Sequence, residues 1–294
     1  MKAILFPGQG SQTVGMAKAH YEESAAVKEM FDQADEMLGY SLTGIMFEGP
    51  DEKLMQTQYT QPAIFLHSAA LYKTLNLKPD VTAGHSLGEF TALVAAGSLH
   101  FKEALELVAL RGKLMQEAGE VNPGSMAAII GMDDSVVDEI CKEASDIIKK
   151  PVVAANYNCP GQLVISGDTK AVDKAVELAK ERGCRIAKKL PVSGAFHSPL
   201  MESALDGLKE KVEQVQFSDA TFPVYSNYTA KPSTDAATLK ENILLQLTNP
   251  VRWTDTLKNM ADSGVNDFIE VGPGKVLQGL VKRTISNANI SGYE

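Results

Sequence analysis

The sequence predicts an α/β fold in which helices cover both faces of a mainly parallel sheet, with a small subdomain inserted. Three observations lead to this prediction. Short apolar segments typical of buried strands alternate with amphipathic helical segments along most of the chain. Between residues 122 and 193 the predicted order changes to β-α-β-β-α-β, which is the ferredoxin-like motif. The chain has 294 residues, of which 44% are hydrophobic, and this is enough for a full core.

The individual elements follow from the spacing of apolar residues. Strands are predicted at residues 2–6, 80–84, 125–131, 151–156, 162–166, 184–191, 222–226 and 267–271. Helices are predicted at residues 23–38, 62–75, 87–96, 101–118, 133–149, 169–182, 199–215, 236–247, 253–263 and from 275 onwards. This order divides the chain into a large catalytic part, residues 1–121 and 194–294, and a ferredoxin-like subdomain, residues 122–193.

Composition excludes several functional classes. The formal net charge of −9 argues against a nucleic-acid partner, because phosphates require a basic surface. Cys141, Cys159 and Cys184 are widely spaced and suggest neither a disulfide framework nor a zinc site, which fits a reducing compartment. The apolar run at the N-terminus is too short for a signal peptide, and no segment has the pattern of a membrane span. We therefore expect a cytoplasmic protein without a membrane partner.

Residues 84–88 (Gly-His-Ser-Leu-Gly) match the G-x-S-x-G nucleophile elbow, in which a sharp strand-to-helix turn exposes a serine. The context agrees, because an apolar strand precedes the motif and a predicted helix follows it. Ser86 is therefore the predicted nucleophile, and the N–H of Leu87 is placed to stabilise an oxyanion. The alternative is a plain strand-to-helix turn, since glycine and serine are common residues.

Arg111 lies on the apolar face of the predicted helix 101–118. It falls in the middle of a stripe formed by Ala104, Leu107, Val108, Leu114, Met115 and Ala118. A buried guanidinium needs an anionic partner. One interpretation is a protein carboxylate or a side chain that snorkels to the surface. The other is a clamp that binds a substrate carboxylate through two parallel hydrogen bonds.

His197 is the best candidate for the base that activates the serine. It precedes Ser198 and Pro199, which are typical of a helix N-cap and first helical position, so it lies on a loop at a helix entrance. The assignment is made by elimination. The remaining histidines are predicted to be exposed or structural, and they are His20, His67, His85 and His100.

Two glycine-rich turns do not match known phosphate-binding motifs. Residues 7–12 (Pro-Gly-Gln-Gly-Ser-Gln) lack the third glycine of the dinucleotide fingerprint, whose place is taken by Thr13. Residues 272–275 (Gly-Pro-Gly-Lys) are followed by Val276 and not by serine or threonine. Both can be structural turns, and the first could also supply the N–H of Gln9 as a second oxyanion donor.

Taken together, these segments resemble the malonyl-CoA:acyl carrier protein transacylase family, which includes the acyltransferase modules of fatty acid and polyketide synthases. The matching segments are residues 7–12, 60–63 (Thr-Gln-Pro-Ala), 84–89, 111–112 (Arg-Gly), 194–198 (Gly-Ala-Phe-His-Ser) and 270–274 (Glu-Val-Gly-Pro-Gly). They occur in the family's order over nearly the whole chain. The length favours a discrete enzyme over a module cut from a synthase.

The resemblance implies an α/β-hydrolase-like fold with a ferredoxin-like insertion. It also implies that Ser86 is the nucleophile and His197 the general base and acid. Gln246 matches the position whose backbone carbonyl orients the histidine in place of a triad aspartate. The N–H groups of Gln9 and Leu87 correspond to the oxyanion hole.

The substrate positions implied by the resemblance form a second group. Arg111 corresponds to the residue that binds the free carboxylate of malonate. Met115, Asn158 and Phe196 match pocket-lining positions. In related synthase modules the Ala-Phe-His-Ser sequence accompanies malonyl and not methylmalonyl selection, and a pocket closed by Phe196 would disfavour the extra methyl group.

The implied substrates are malonyl-CoA and the phosphopantetheine thiol of an acyl carrier protein, with ping-pong kinetics and no metal or other cofactor. Because acyl carrier proteins are acidic, as this chain is, docking requires a local basic patch. One candidate pair is Lys188 and Lys189, at the end of the last strand of the insertion. The other is Lys282 and Arg283, on the last helix. Each pair can equally be a solvated surface pair.

Rival functions fit parts of the same pattern. A serine thioesterase or esterase would use the same elbow with water as the acceptor, but Arg111 and the lack of a clear triad acid favour transfer. A carrier-binding protein without catalysis would not need the nucleophile. A polyketide-pathway acyltransferase that uses another acyl-CoA is a narrower alternative.

Overall fold

The computed structural model describes residues 1–192 and 194–294, and within them the strands form two sheets. The strands are β1 (Lys2–Phe6), β2 (Val81–Gly84), β3 (Gly124–Ile130), β4 (Val152–Cys159), β5 (Gln162–Asp168), β6 (Ile186–Lys189), β7 (Val224–Tyr225), β8 (Pro232–Ser233), β9 (Asp267–Val271) and β10 (Asn289–Tyr293). The first helices are α1 (Lys18–Glu23), α2 (Ala25–Leu38), α3 (Leu42–Glu48), α4 (Asp51–Leu54), α5 (Thr57–Thr74), α6 (Gly88–Ala95) and α7 (Phe101–Val121). The later helices are α8 (Asp134–Ile148), α9 (Thr169–Glu181), α10 (Glu202–Gln214), α11 (Ala236–Leu245), α12 (Trp253–Asp262) and α13 (Val276–Thr284). No helix among the described residues combines the length and the apolar character needed to cross a bilayer.

The larger sheet has six strands in the order β10-β9-β1-β2-β7-β8. Its first five strands run parallel, and β8 is antiparallel to β7. The central strand β1 is buried from Ala3 to Phe6, as expected where helices cover both faces of a parallel sheet. The prediction of a mainly parallel α/β fold is confirmed.

The smaller sheet has the order β4-β5-β3-β6, and every neighbouring pair is antiparallel. Helices α8 and α9 pack their apolar faces against one side of it. With β3-α8-β4-β5-α9-β6 along the chain, this is the predicted ferredoxin-like arrangement. The boundaries at 122 and 193 stay a prediction, and residue 193 lies outside the described residues. Strand β4 is joined to the larger part of the chain, because Val251 exchanges backbone hydrogen bonds with Ala155 and Tyr157, at 2.8 and 2.9 Å.

Some predicted elements differ from those observed. The predicted helix 23–38 corresponds to α2, which begins two residues later, because Ser24 is extended and its hydroxyl accepts from the N–H of Val27 as the helix N-cap. The predicted helix 199–215 begins with a 3₁₀ turn, Pro199–Met201. The predicted strand 184–191 is hydrogen-bonded only from Ile186 to Lys189. Helices α1, α3 and α4 and strands β8 and β10 were not predicted.

A cleft opens where the carboxyl ends of β1 and β2 meet, which is the edge at which α/β sheets bind ligands. The turns that follow these strands line one wall. Asn156, Asn158 and Val164, from β4 and β5 of the smaller sheet, line the opposite wall. The two sheets therefore face each other across the site.

Candidate active site

The turn that carries Ser86 depends on two glycines. A Cβ at Gly84 would lie 1.8 Å from the carbonyl carbon of Gly88, and a Cβ at Gly88 would lie 2.2 Å from the carbonyl oxygen of Phe6. Between the two glycines Ser86 has a φ of 51°, in the left-handed region that residues with a side chain rarely adopt. Its N–H donates to Oδ1 of Asn227 at 2.6 Å. The turn thus presents the Ser86 hydroxyl to the cleft.

The imidazole of His197 bridges the serine hydroxyl and a backbone carbonyl. Its Nε2 lies 2.7 Å from Ser86 Oγ, and its Nδ1 lies 2.8 Å from the carbonyl oxygen of Gln246. Because a carbonyl oxygen only accepts, Nδ1 carries the proton and Nε2 can accept the proton of the serine. Burial, followed by the positive charge of Arg111, lowers the pKa of His197 to about 3. The ring is therefore neutral near pH 7, which leaves Nε2 free to accept a proton.

The guanidinium of Arg111 lies in the interior beside the nucleophile, with 1% of the residue exposed. Its Nη2 donates to Ser86 Oγ at 3.1 Å and to Gln246 Oε1 at 2.9 Å. Its Nη1 donates to Gln61 Oε1 at 2.7 Å, and its Nε has no partner among the described residues. Burial lowers the pKa of Arg111 to about 10, so the side chain stays charged near neutral pH. The acceptors in contact with it are neutral, which suits the site to an anionic ligand.

Gln246 connects these groups through its side chain as well as its backbone. Its Nε2 donates to the carbonyl oxygen of Ser86 at 3.0 Å and to Oε2 of Glu89 at 2.7 Å. The same carboxylate oxygen accepts from the N–H of Asn227 at 3.1 Å. Burial raises the pKa of Glu89 to about 7, although these donors and Arg111 oppose the shift. Gln246, predicted for its carbonyl alone, therefore contacts four other residues of the site.

The predicted oxyanion donors lie together at the cleft. Gln9 and Leu87 both line it. Their turns are in close contact, because a Cβ at Gly8 would lie 2.4 Å from the carbonyl oxygen of His85. Within the described chain, neither the Gln9 nor the Leu87 N–H donates a hydrogen bond. Both amides are therefore available to an oxyanion, and their role stays a prediction.

The cleft encloses about 520 Å³. The three predicted pocket positions, Met115, Asn158 and Phe196, all line it. Asn158 accepts a hydrogen bond through Oδ1 from Nε2 of His85 at 2.8 Å, so His85 faces the cleft wall and not Ser86. Of the other histidines, His67 is buried, as predicted for a core residue.

The predicted docking residues lie at different distances from the cleft. Arg283 lines it, and Lys282 is exposed on the same helix, α13. Lys188 is exposed on β6. Lys189 forms an ion pair with Asp173 at 2.5 Å, which favours the structural interpretation for this residue. A role in docking stays a prediction for all four.

Sequence reasoning missed three buried polar residues of the site, Gln61, Glu89 and Asn227. Gln61 and Glu89 could have been predicted, because they belong to two of the segments that carry the family resemblance, residues 60–63 and 84–89. Asn227 follows the short strand β7 and had no local signal. A search for polar residues at the ends of predicted parallel strands would have included it.

Comparison with known proteins places the chain in a family. The model of the acyl transferase domain matches residues 4–294. A malonyl CoA-acyl carrier protein transacylase of Bacillus subtilis is 48% identical over 287 residues, which cover 96% of this chain and 89% of that protein. The crystal structure of an acyl carrier protein S-malonyltransferase of Vibrio cholerae has a TM-score of 0.95 and 42% identity, covering 100% of this chain and 96% of that one.

A third similar protein is a malonyl-transacylase whose structure was solved in complex with a type II PKS acyl-carrier protein. It has a TM-score of 0.94 and 40% identity, covering 99% of this chain and 94% of that one. The matches extend over nearly the full length of each protein, and they include the cleft and both sheets. The chain belongs to the acyl transferase domain family.

Proposed function

We propose that this protein transfers the malonyl group of malonyl-CoA to the phosphopantetheine thiol of an acyl carrier protein, through a malonyl ester of Ser86. One observation carries the proposal. In a single cleft, Ser86 Oγ lies 2.7 Å from the neutral imidazole of His197 and 3.1 Å from the guanidinium of Arg111. A base and an anion receptor therefore both contact the nucleophile. The activities named for the similar proteins support the same conclusion.

The first half-reaction loads the enzyme. His197 Nε2 takes the proton of Ser86 as the oxygen attacks the thioester carbonyl, and the N–H groups of Gln9 and Leu87 receive the oxyanion. The carbon–sulfur bond then breaks, and the imidazolium returns the proton to the leaving thiolate of coenzyme A. The malonyl group remains as an ester on Ser86.

The second half-reaction unloads the enzyme by the reverse sequence. The phosphopantetheine thiol gives its proton to His197 and attacks the ester carbonyl. The same two amides stabilise the second tetrahedral intermediate. When the carbon–oxygen bond breaks, His197 reprotonates Ser86, and the malonyl group leaves as a thioester of the carrier.

Arg111 supplies selectivity for a malonyl group. A single methylene separates the malonyl carboxylate from the reacting carbonyl, so a receptor for that carboxylate must lie next to the nucleophile, as Arg111 does. A neutral acyl group would leave the buried charge without an anionic partner. Phe196, which lines the cleft, would disfavour an additional methyl group, although one methyl gives only modest discrimination.

The partner of His197 Nδ1 favours transfer over hydrolysis. It is the carbonyl oxygen of Gln246, a neutral group that orients the ring without stabilising its positive charge as a carboxylate would. A thiol has a pKa of about 8.5, far below that of water at about 15.7, so a weaker base suffices for a thiol acceptor. A serine thioesterase is the second candidate, and it shares the nucleophile turn.

Reaction with a carrier protein in the cytoplasm completes the proposal. Arg283 and Lys282 are the basic residues beside the cleft best placed to meet an acidic carrier. A reducing compartment agrees with the three cysteines, which are all free thiols.

The deciding experiment exposes the enzyme to malonyl-CoA with and without phosphopantetheinylated carrier protein. We expect a malonyl adduct on the intact enzyme, its loss when the carrier is added, and a malonylated carrier. Ser86→Ala is the matched control and should acquire no adduct. Rapid release of free malonate with no loading of the carrier would contradict transfer and favour the thioesterase. Binding of carrier without any adduct would favour a non-catalytic carrier-binding protein.

A further inference from the structure

Glu89 is a buried carboxylate whose position needs an explanation. It lies on α6, one turn beyond the start of the nucleophile turn, and 1% of the residue is exposed. Burying a charged or protonated carboxyl group is costly unless its oxygens are hydrogen-bonded. Its Oε2 accepts from Nε2 of Gln246 at 2.7 Å and from the N–H of Asn227 at 3.1 Å. The position of Glu89 is explained by the contacts that Gln246 and Asn227 make in turn.

Both partners hold the reacting groups. Asn227 accepts a hydrogen bond from the N–H of Ser86 at 2.6 Å and donates through Nδ2 to the carbonyl of Gly84 at 2.7 Å, so it ties the serine to the start of the nucleophile turn. Gln246 holds His197 through its backbone carbonyl and Arg111 through Oε1. Glu89 touches no reacting atom itself. It contacts the two residues that position the nucleophile, the base and the guanidinium.

The orientation of the Gln246 amide is the point at which Glu89 acts. An amide can be turned so that its oxygen and nitrogen exchange places. A guanidinium only donates, and Oε2 of Glu89 is an acceptor because the backbone N–H of Asn227 donates to it, so a single orientation of the Gln246 amide satisfies both Arg111 and Glu89. In that orientation Oε1 faces Arg111 and Nε2 faces Glu89, as observed. The opposite orientation would direct an NH₂ group at Arg111.

We infer that Glu89 is a positioning residue whose acceptor oxygen fixes the Gln246 amide, and that this keeps Arg111 and His197 aligned with Ser86. The inference rests on the proposed malonyl transfer. In this inference Glu89 acts as a hydrogen-bond acceptor at the correct distance, and its negative charge is not required. If the acceptor matters, Glu89→Gln should be more active than Glu89→Asp, and if the charge matters, the order should be reversed.

The experiment measures kcat/KM for malonyl-CoA and acetyl-CoA, with carrier protein as acceptor, in the wild type and in three variants of Glu89. Glu89→Gln retains an acceptor oxygen at the same distance, and both constants should stay within about threefold of the wild type. Glu89→Asp retains the charge but withdraws it by one methylene, and malonyl transfer should fall about tenfold. Glu89→Leu removes the acceptor, and malonyl transfer should fall about 100-fold.

The malonyl-to-acetyl ratio separates positioning from general damage to the fold. In Glu89→Leu the ratio should fall about tenfold, because a misoriented Gln246 displaces the group that binds the malonyl carboxylate. A loss of folded protein would reduce both constants equally. Thr91→Val is the matched control, since Thr91 lies on the same helix, is equally buried and has no partner for its hydroxyl among the described residues. It should keep both constants and the ratio.

An unchanged ratio in a folded Glu89→Leu, or a Glu89→Gln less active than Glu89→Asp, would overturn the inference. If Glu89→Leu fails to fold, the order of Glu89→Gln and Glu89→Asp still decides. Failure of the proposed function would be seen differently, as absence of malonyl transfer in the wild type.

Discussion

The two walls of the cleft differ in how their polar groups are connected. On the side of the parallel sheet, a continuous set of hydrogen bonds joins Ser86, His197, Gln246, Arg111 and Glu89. Among the described residues, the lining from the antiparallel sheet has no comparable set of hydrogen bonds.

That second wall consists of residues from β3, β4 and β5. They are Met126, Asn156, Asn158, Gln162 and Val164. Among them Asn158 is joined by a hydrogen bond to the nucleophile turn, through His85. In the proposed reaction, one sheet edge would carry the chemistry and the other would enclose the substrate. Substitutions on the two walls should therefore differ in size and in kind.

The largest effect should come from the nucleophile. Ser86→Ala removes the hydroxyl oxygen that forms the acyl ester in the proposed reaction, and transfer should fall by roughly 10⁶-fold. Intact mass after exposure to malonyl-CoA checks the result, and the melting temperature serves as the control for folding. Substantial malonyl transfer by a folded Ser86→Ala protein would mean that this wall does not carry the chemistry.

The next effect concerns the guanidinium. Arg111→Ala should reduce kcat/KM for malonyl-CoA by roughly 10²-fold or more, because the malonyl carboxylate loses a charged bidentate partner. Acetyl transfer should fall far less, since an acetyl group has no carboxylate. Parallel assays with the two acyl-CoAs measure this difference. Equal losses for both would show that Arg111 has a structural role alone.

A smaller effect is expected from the antiparallel wall. Asn158→Ala leaves Nε2 of His85 without its partner and enlarges the cleft, and transfer should fall by about tenfold or less. The loss should be similar for malonyl and acetyl groups, because Asn158 is not part of the anion receptor. A loss confined to malonyl transfer would instead show that part of the carboxylate receptor lies on the antiparallel wall, and this would contradict the proposed difference between the two walls.

The smallest effect on activity should come from His67, a buried histidine outside the site. Burial lowers the pKa of His67 to about 3, and neither ring nitrogen has a partner among the described residues. The unfolded chain takes up a proton below its usual pKa of 6.5, whereas the folded chain does so only near 3, so wild-type stability falls as the pH falls through this window. His67→Leu removes this loss and leaves transfer at neutral pH unchanged.

Urea unfolding of the wild type and His67→Leu at two pH values measures the effect. Between pH 7 and pH 5 the variant should lose about 2 kcal/mol less unfolding free energy than the wild type. His197 and the carboxyl groups titrate in both proteins and cancel in the difference. Identical pH dependence would show that His67 is protonated, or exposed, in the folded protein.

Local patterns in the sequence predicted the parts of the site that have a local cause. The nucleophile turn was predictable because a strand, two glycines and a helix follow one another within a few residues. Arg111 was predictable because helical periodicity places it on a buried face. The parallel sheet and the antiparallel sheet were both predictable, because the order of strands and helices along the chain differs between the two regions.

The remaining parts depend on contacts between distant segments. Glu89 and Asn227 are joined across 138 residues, and no periodicity reports such a pair. Gln246 was assigned by resemblance alone. Helices α3 and α4 have seven and four residues, too few to establish a period. Strand β10 lies at an exposed edge and contains Asn, Ser and Gly, so it lacked the apolar pattern of the inner strands.

The left-handed backbone at the site has a consequence for engineering. Ser86 and His197 have φ values of 51° and 55°, where a residue with a Cβ loses roughly 1–2 kcal/mol relative to glycine. Glycine would relieve that strain at both positions, yet it would remove the hydroxyl or the imidazole. Directed evolution for thermostability alone would therefore select glycine substitutions that stabilise the protein and abolish its activity. A screen for thermostable variants must measure turnover at the same time.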